Sequence, residues 1–234
     1  MASKPDIVYF VKESSKNREL QYSLRSVEQN FKAGGRLWLV GGMPAGFKPD
    51  GFLRVAQDMP SKWQNVRKSL IAVCQSDEIS EKFWLFNDDF FILRPVERMP
   101  EAYYDGSILE LCERIEKRSG GVSLYTKQMR HLIKTLESAG LTTLNYALHR
   151  PMLIEKKKAL EVLEKFPDEP MFRSLYGNYW RIMPEPDEDY KIRRNEEALD
   201  ESKVFVSTMD DSWNQGRVGF RLREIFDKPS RWEC

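Results

Sequence analysis

The sequence predicts an α/β fold with a mostly parallel sheet, because short apolar runs alternate with amphipathic helical segments. The runs are rich in β-branched and aromatic residues: DIVYFV (residues 6–11), LWLVGG (37–42), FLRVAQD (52–58) and FWLF (83–86). The last run ends abruptly in the acids Asp88 and Asp89. Parallel sheets covered on both faces have this alternation, and their ligands collect at the carboxyl ends of the strands.

Helical spacing supports each of the two segments between the first and last runs. Leu20, Leu24, Val27 and Phe31 share one face of a helix that Asn17 caps, and Gly34-Gly35 ends it. The second helix carries apolar residues at the same spacing, at Trp63, Val66, Leu70 and Val73. The first 96 residues therefore predict a nucleotide-binding type of α/β half.

The second half of the chain has a more helical pattern. Helices are predicted around residues 107–117, 126–139 and 151–166, and a last strand-like run, KVFVSTM, covers 203–209. We therefore expect one domain over residues 1–234. Its parts are an α/β half (1–96), a mostly helical acceptor or lid region (97–200), and a returning strand with a C-terminal segment (201–234).

Composition excludes several classes of protein. Lys plus Arg is 37 and Asp plus Glu is 36, so the net charge of +1 argues against a dedicated nucleic-acid binder and leaves nucleic acid only as an acceptor. Three scattered cysteines and two histidines give no zinc-site spacing and suit a reducing compartment. No apolar stretch reaches the roughly 18 residues of a transmembrane segment, so a cytoplasmic protein is expected. P-loop, dinucleotide, serine-hydrolase and zincin motifs are absent from the sequence.

The stretch FNDDFF is the most informative one for chemistry. Asp88 and Asp89 stand between large apolar residues, where a carboxylate needs compensation. Mg²⁺ or Mn²⁺ bound to a nucleotide diphosphate would supply it, since these cations prefer carboxylate and phosphate oxygens. The alternative is that the two acids only cap a turn at the strand end.

His149 stands shortly before Pro151, a residue favoured in the first turn of a helix. The pattern therefore places His149 at a helix N-terminus, where the dipole disfavours imidazolium and keeps the ring available as a general base. The alternative is a histidine that only packs or caps. The other histidine, His131, lies in a predicted helix and is interpreted as a surface or structural residue.

Basic residues offer candidate phosphate ligands. Arg25 and Arg173 could each pair with two phosphate oxygens, or could be solvated or salt-bridged. The run Lys156-Lys157-Lys158 is typical of an exposed helix face.

Five segments resemble, in order, the first two blocks of the Stealth family. They are DIVYFV, ELQYSLRSVEQNF, LWLVGG, WQN and FWLFNDDFFILRPV, within residues 5–96. Members of this family are hexose-1-phosphate transferases that assemble bacterial capsular polysaccharides, and it also contains the lysosomal-enzyme N-acetylglucosamine-1-phosphotransferase. HRPMLIEKKKALEVLEKF, MFRS and KVFVSTMDDS are similar to later blocks.

The resemblance implies a GT-A-like or Rossmann-like transferase that uses Mg²⁺ or Mn²⁺ and a nucleotide-sugar donor such as a UDP-sugar. It implies that Asp88 and Asp89 bind metal and diphosphate, with Asp210 or Asp211 closing the site. It also implies roles for the following residues: His149 as the base, Arg25 and Arg173 on phosphate oxygens, and Asp6, Asn65, Asn87 and Lys156 around the donor.

The sequence departs from the family pattern at two places. VKESSKN follows the first strand where the family has tryptophan and aspartate, and Arg67-Lys68 follow the WQN asparagine where an acid is usual. The predicted reaction therefore stays open between transfer of sugar-1-phosphate and transfer of the sugar, to a hydroxyl on a glycan, protein or other polymer. The alternatives are a glycosyltransferase of a phage or mobile element that modifies a virion, surface or DNA acceptor, and a non-catalytic sugar-nucleotide or glycan-binding domain.

Overall fold

The computed structural model describes residues 4–234. Its central sheet contains five strands: β1 (Asp6–Val11), β2 (Leu37–Gly41), β3 (Gly51–Arg54), β4 (Lys82–Phe86) and β7 (Met152–Glu155). Their order is β3-β2-β1-β4-β7, in which the first four strands are parallel and β7 is antiparallel to β4. The predicted α/β class with a mostly parallel sheet is confirmed.

Alternation of side chains places two apolar layers against this sheet. Val8 and Phe83 face one layer, while Ile7, Tyr9 and Trp84 face the other. Both layers are buried, which explains why the strands are continuously apolar in the sequence.

Eight helices among the described residues surround the sheets. Capping boxes at Ser61, Ser107 and Ser123 start three of them. The helices are α1 (Arg18–Asn30), α2 (Lys62–Gln75), α3 (Ile108–Ser119), α4 (Leu124–Ser138), α5 (Lys156–Lys165), α6 (Phe172–Tyr179), α7 (Asp210–Asn214) and α8 (Arg217–Ile225).

A second, three-stranded sheet carries the rest of the candidate site. It has the order β5-β10-β9, with β5 (Phe90–Ile92), β10 (Phe205–Thr208) and β9 (Lys191–Ile192). β10 is antiparallel to β5 and parallel to β9. A small pair, β6 (Tyr103–Tyr104) and β8 (Glu185–Pro186), completes the strands of the described chain.

The helix predicted over residues 151–166 is wrong at its start. Met152–Glu155 form the edge strand β7, and the helix begins only at Lys156. Leu153 and Ile154 pair with Trp84 and Phe83, because this segment closes the open edge of β4. Residues 97–200 are thus not purely helical but also supply β6, β7, β8 and β9.

No helix within residues 4–234 combines the length and the apolar character needed to span a bilayer.

Candidate active site

The turn Asn87-Asp88-Asp89 links β4 to β5 at the carboxyl edge of the central sheet. Asn17, the N-cap of α1, accepts a hydrogen bond from Leu20 N–H and donates through Nδ2 to Oδ2 of Asp88, at 2.7 Å. The start of α1 and the acidic turn are therefore fixed against each other, at the edge where ligands of such sheets bind.

Asp89 has its counter-charge within the protein. Its Oδ2 accepts hydrogen bonds from Lys191 Nζ, at 2.9 Å, and from Ser207 Oγ, at 2.7 Å. Burial raises the pKa of Asp89, but the charges of Lys191 and His149 and the Ser207 hydrogen bond outweigh it, so the pKa falls below its ordinary value. Asp89 is therefore an anion held by the second sheet.

Asp88, Glu19 and Asp210 form a group of acids that make no ion pair with any residue that the structure describes. Burial raises the pKa of Asp88, and the charges of Asp89 and Asp210 raise it further against the Asn17 hydrogen bond. Glu19, in the first turn of α1, accepts a hydrogen bond from Thr208 Oγ1 at 2.5 Å. Burial, with the neighbouring acids, raises the pKa of Glu19 to about 8. Negative charge accumulates here and favours protons or cations.

His149 lies beside the acidic turn and is held by Asp189. Its Nδ1 is 2.8 Å from Oδ2 of Asp189, and its backbone N–H donates to Oδ1 at 2.8 Å. The imidazole packs edge-on against Phe90, the residue after Asp89, with ring centroids 6.2 Å apart. Since α5 begins at Lys156, the expected helix N-terminus is not at His149, and the carboxylate of Asp189 replaces the helix dipole as the group that acts on the ring.

Arg173 lies over the ring of Phe90, with its guanidinium carbon 5.5 Å from the ring centroid. It donates to the carbonyl oxygens of Leu85, at 3.0 Å, and Arg150, at 2.8 Å. Burial lowers the pKa of Arg173 to about 10, against the charges of Asp89 and Asp189. The structure therefore brings Arg173 to the site as a partly buried positive charge.

Arg25 is placed elsewhere than predicted. Its Nε and one terminal nitrogen donate to both oxygens of Glu233, at 2.8 and 2.7 Å, and its other terminal nitrogen donates to the carbonyls of Phe226 and Asp227. The guanidinium therefore binds the C-terminal segment to α1. This placement does not support the predicted role of Arg25 as a phosphate ligand.

Two other predicted ligands lie at the opposite, amino edge of the sheet. Asp6 begins β1 and accepts hydrogen bonds from Arg36, Trp38 and the Ser80 backbone. Lys156 is buried and donates to the carbonyls of Ser76 and Ile79, ahead of β4. Both residues secure chain segments there, so neither faces the acidic turn.

The remaining predicted residues divide between the site and the surface. Asn87 is exposed in the acidic turn itself. Asn65 bonds to the backbone of Met59 and Ser61 and stabilises the start of α2. Asp211 is exposed on α7, and its neighbour Asp210 is the acid whose charge acts on Asp88.

The structure does not gather the predicted metal ligands into one group. Among residues 4–234, no three His, Cys, Asp or Glu side chains are grouped so as to hold a metal ion. Asp89 is already paired with Lys191, and Asp211 is exposed on α7. The binding of Mg²⁺ or Mn²⁺ therefore stays a prediction.

Sequence reasoning missed Asp189 and Lys191, which lie in DYKI, residues 189–192. Residues two apart on an extended chain point to the same side, and here they reach His149 and Asp89. This alternation is the signal available in the sequence, but the acidic, proline-rich character of residues 183–190, which include Asp189, favours a surface loop.

Comparisons with solved structures agree with this fold. The chain is similar to the glycosyltransferase GlyE of Streptococcus pneumoniae TIGR4, at 12% identity and a TM-score of 0.50, covering 95% of this chain and 61% of GlyE. It thus spans less than two thirds of GlyE. It is also similar to the galactosyltransferase LgtC in complex with donor and acceptor sugar analogs, at 11% identity and a TM-score of 0.50, covering 96% of both chains.

An active-site mutant of LgtC gives the same TM-score of 0.50 at 12% identity, covering 96% of both chains. Neither a protein-family profile nor a curated protein matches the sequence. The fold is therefore that of GT-A-type glycosyltransferases, and membership of the Stealth family stays a prediction.

Proposed function

We propose that this protein is a glycosyltransferase that moves a sugar from a nucleotide-sugar, with a UDP-sugar as the expected donor, to a hydroxyl group of a glycan or other polymer. The observation that carries the proposal is the placement of His149 against Phe90, beside the turn Asp88-Asp89 at the carboxyl edge of a GT-A-type sheet. Three kinds of side chain lie together at the sheet edge where this fold binds ligands. They are the acids Asp88 and Asp89, the imidazole of His149, and the cationic side chains of Lys191 and Arg173.

The proposed reaction needs a base, positioning of the reactants and positive charge at the leaving group. The acceptor oxygen forms a bond to the anomeric carbon, the bond from that carbon to the diphosphate breaks, and the nucleoside diphosphate leaves with the electron pair. His149 Nε2, for which the described residues provide no hydrogen-bond partner, takes the hydroxyl proton. Arg173, whose guanidinium lies over Phe90 beside the acidic turn, supplies positive charge near the leaving diphosphate.

A second reaction is supported by the sequence resemblance to the Stealth family. In it the acceptor oxygen attacks the phosphorus next to the sugar, sugar-1-phosphate moves, and a nucleoside monophosphate leaves. The same groups serve both reactions, since each needs a base, positioning and neutralisation of phosphate charge. The released nucleotide therefore distinguishes the two.

The test is to incubate the purified chain with a panel of UDP-sugars and identify the released nucleotide. Each reaction is run with Mn²⁺, with Mg²⁺ and with EDTA, which also tests the predicted metal dependence. UDP supports the proposed glycosyl transfer, and UMP supports transfer of sugar-1-phosphate. Binding of UDP-sugar without release, unchanged in Asp88→Asn, would favour a non-catalytic binding domain instead.

His149→Ala and His131→Ala provide a matched pair of controls. His131 lies on α4 with its side chain 65% exposed, 3.9 Å from Glu169, so its loss removes a histidine without touching the site. We expect release to fall at least about 100-fold in His149→Ala, the usual contribution of a general base, and to stay unchanged in His131→Ala.

A further inference from the structure

Asp189 directs its whole carboxylate at His149. One oxygen accepts the backbone N–H of His149 and the other faces Nδ1 of its ring, both at 2.8 Å. The side chains are 29% exposed for His149 and 14% for Asp189, so water competes only weakly for this contact. The two residues are 40 positions apart, and the pairing therefore depends on the fold.

Contacts made by residues next to His149 and Asp189 hold these two side chains against each other. Arg150 donates to the carboxylate of Asp187 and, at 2.6 Å, to the carbonyl of Glu188. Two residues beyond Asp189, Lys191 contacts Asp89. The segment 187–191 thus runs as a brace along His149-Arg150 and ends at the acidic turn, which limits how Asp189 can move.

The charge state of Asp189 determines which ring nitrogen of His149 carries the proton. Burial raises the pKa of Asp189, but the hydrogen bond from the His149 ring, the positive charge of that ring when it is protonated, and the His149 backbone hydrogen bond outweigh it and bring the pKa to about 2. An ionised carboxylate only accepts hydrogen bonds, so Nδ1 must carry the proton. The lone pair of the neutral ring is then on Nε2.

We propose that Asp189 is a positioning residue, which fixes the Nδ1–H tautomer and the orientation of His149 so that Nε2 can take a proton from the acceptor hydroxyl. The kinetic part of this inference depends on the proposed function, while the tautomer does not. The other charges that act on the pair include Asp89, Arg114, Arg173 and Arg193.

The experiment compares the full chain with Asp189→Asn, in which the side-chain amide can also donate to Nδ1. Glu188→Gln is the matched control, since the Glu188 side chain lies in the same segment but is 81% exposed and contacts Lys203, at 3.6 Å, instead of His149 or Arg150. Imidazole nitrogen spectra of ¹⁵N-histidine-labelled protein at about pH 8.5, where an unperturbed imidazole is neutral, report the tautomer. The chain has two histidines, so His131 serves as the internal reference.

We expect the wild-type chain and Glu188→Gln to show protonated Nδ1 at His149, and Asp189→Asn to lose this preference. With any donor that the wild-type chain uses, Asp189→Asn should lower kcat at least about 100-fold, with the donor KM changed less than about threefold.

A protonated Nε2 in the wild-type chain would overturn the proposal even if Asp189→Asn failed to fold. An unchanged kcat in a folded Asp189→Asn would also overturn it. The absence of any transfer by the wild-type chain would instead count against the proposed function, and the spectra would still decide the tautomer.

Discussion

Lys191 Nζ lies 2.9 Å from Oδ2 of Asp89, and the two side chains are only 11% and 17% exposed. The residues are 102 positions apart, on β9 and in the turn after β4. Ser207 of β10 donates to the same oxygen at 2.7 Å. The second sheet therefore sets both the charge and the position of one of the two acids that the sequence singles out.

Removal of Lys191 should leave a buried and uncompensated carboxylate. We expect Lys191→Met to lower the free energy of unfolding by about 3 kcal/mol, in the range for a buried pair that loses one partner. Urea denaturation of Lys191→Met, Asp89→Asn and the double variant measures the coupling. The double variant should regain most of the loss, and additive effects would show that the pair contributes nothing as a pair.

Asp88 and Asp211 should differ sharply in their effect on activity. Asp88 is in the acidic turn beside Asn17, whereas Asp211 is exposed on α7. We expect Asp88→Asn to lower nucleotide release from the wild-type donor by at least about 100-fold, as for loss of an electrostatic active-site group. Asp211→Asn should stay within about threefold of the wild-type rate, and equal losses in both variants would refute this placement of the site.

Glu19 gives a pH-dependent prediction for stability. Its pKa is raised by burial to about 8, so the folded state holds its proton more tightly than the unfolded chain does. The stability from this proton is complete below about pH 4.5 and is lost as the pH rises through about 8. Glu19→Gln should therefore gain stability over the wild-type chain as the pH is raised, by about 1.4 kcal/mol for each unit of the pKa difference.

Thermal or urea unfolding at a series of pH values, in the presence of EDTA, measures this difference. Glu28→Gln is a matched control on the same helix, since Glu28 hydrogen-bonds the backbone of Arg231 and lies away from the acidic turn. A constant difference between Glu19→Gln and the wild-type chain over this pH range would contradict the account of Glu19.

Arg25 is expected to act on stability and not on catalysis. Its ion pair with Glu233 is 9% exposed on each side, so Arg25→Ala should lower the free energy of unfolding by about 3 kcal/mol. Burial raises the pKa of Glu233, but hydrogen bonds from Arg25 and Gln21 outweigh it and bring the pKa to about 2. The cost of Arg25→Ala should therefore shrink as the pH falls from about 4.5 towards 2.

Kinetics at neutral pH separate this role from phosphate binding. The folded Arg25→Ala variant should keep the donor KM of the wild-type chain. A KM raised tenfold or more would restore Arg25 to the donor site.

The class of fold and the acidic turn could be predicted because their signals are local. Strand and helix periodicities lie within single segments, and Asp88-Asp89 directly follow a buried strand. The partners of charged residues are not local. No residue near Arg25 in the sequence indicates that Glu233 is its partner. The backbone carbonyls that accept hydrogen bonds from Lys156 belong to residues about 80 positions away.

The same reason explains the residues that were missed. Asp189 and Lys191 are assigned to the site only because the chain returns beside His149 and Asp89. The sequence predicts helix at Met152–Glu155 because this segment is only four residues long and directly precedes a helical pattern. A segment this short shows no clear strand or helix periodicity. Tertiary pairing with β4 determines its structure.

Amide hydrogen–deuterium exchange with saturating UDP, with and without Mn²⁺, tests most directly whether the carboxyl edge is the donor site. The account predicts slower exchange in peptides covering residues 87–90, 147–150 and 189–192. The alternative location for the donor site is a separate cleft of about 610 Å³, lined by Lys32, Trp84, Arg98 and Met99 among others. Protection confined to that cleft, or no protection at the acidic turn, would contradict the account.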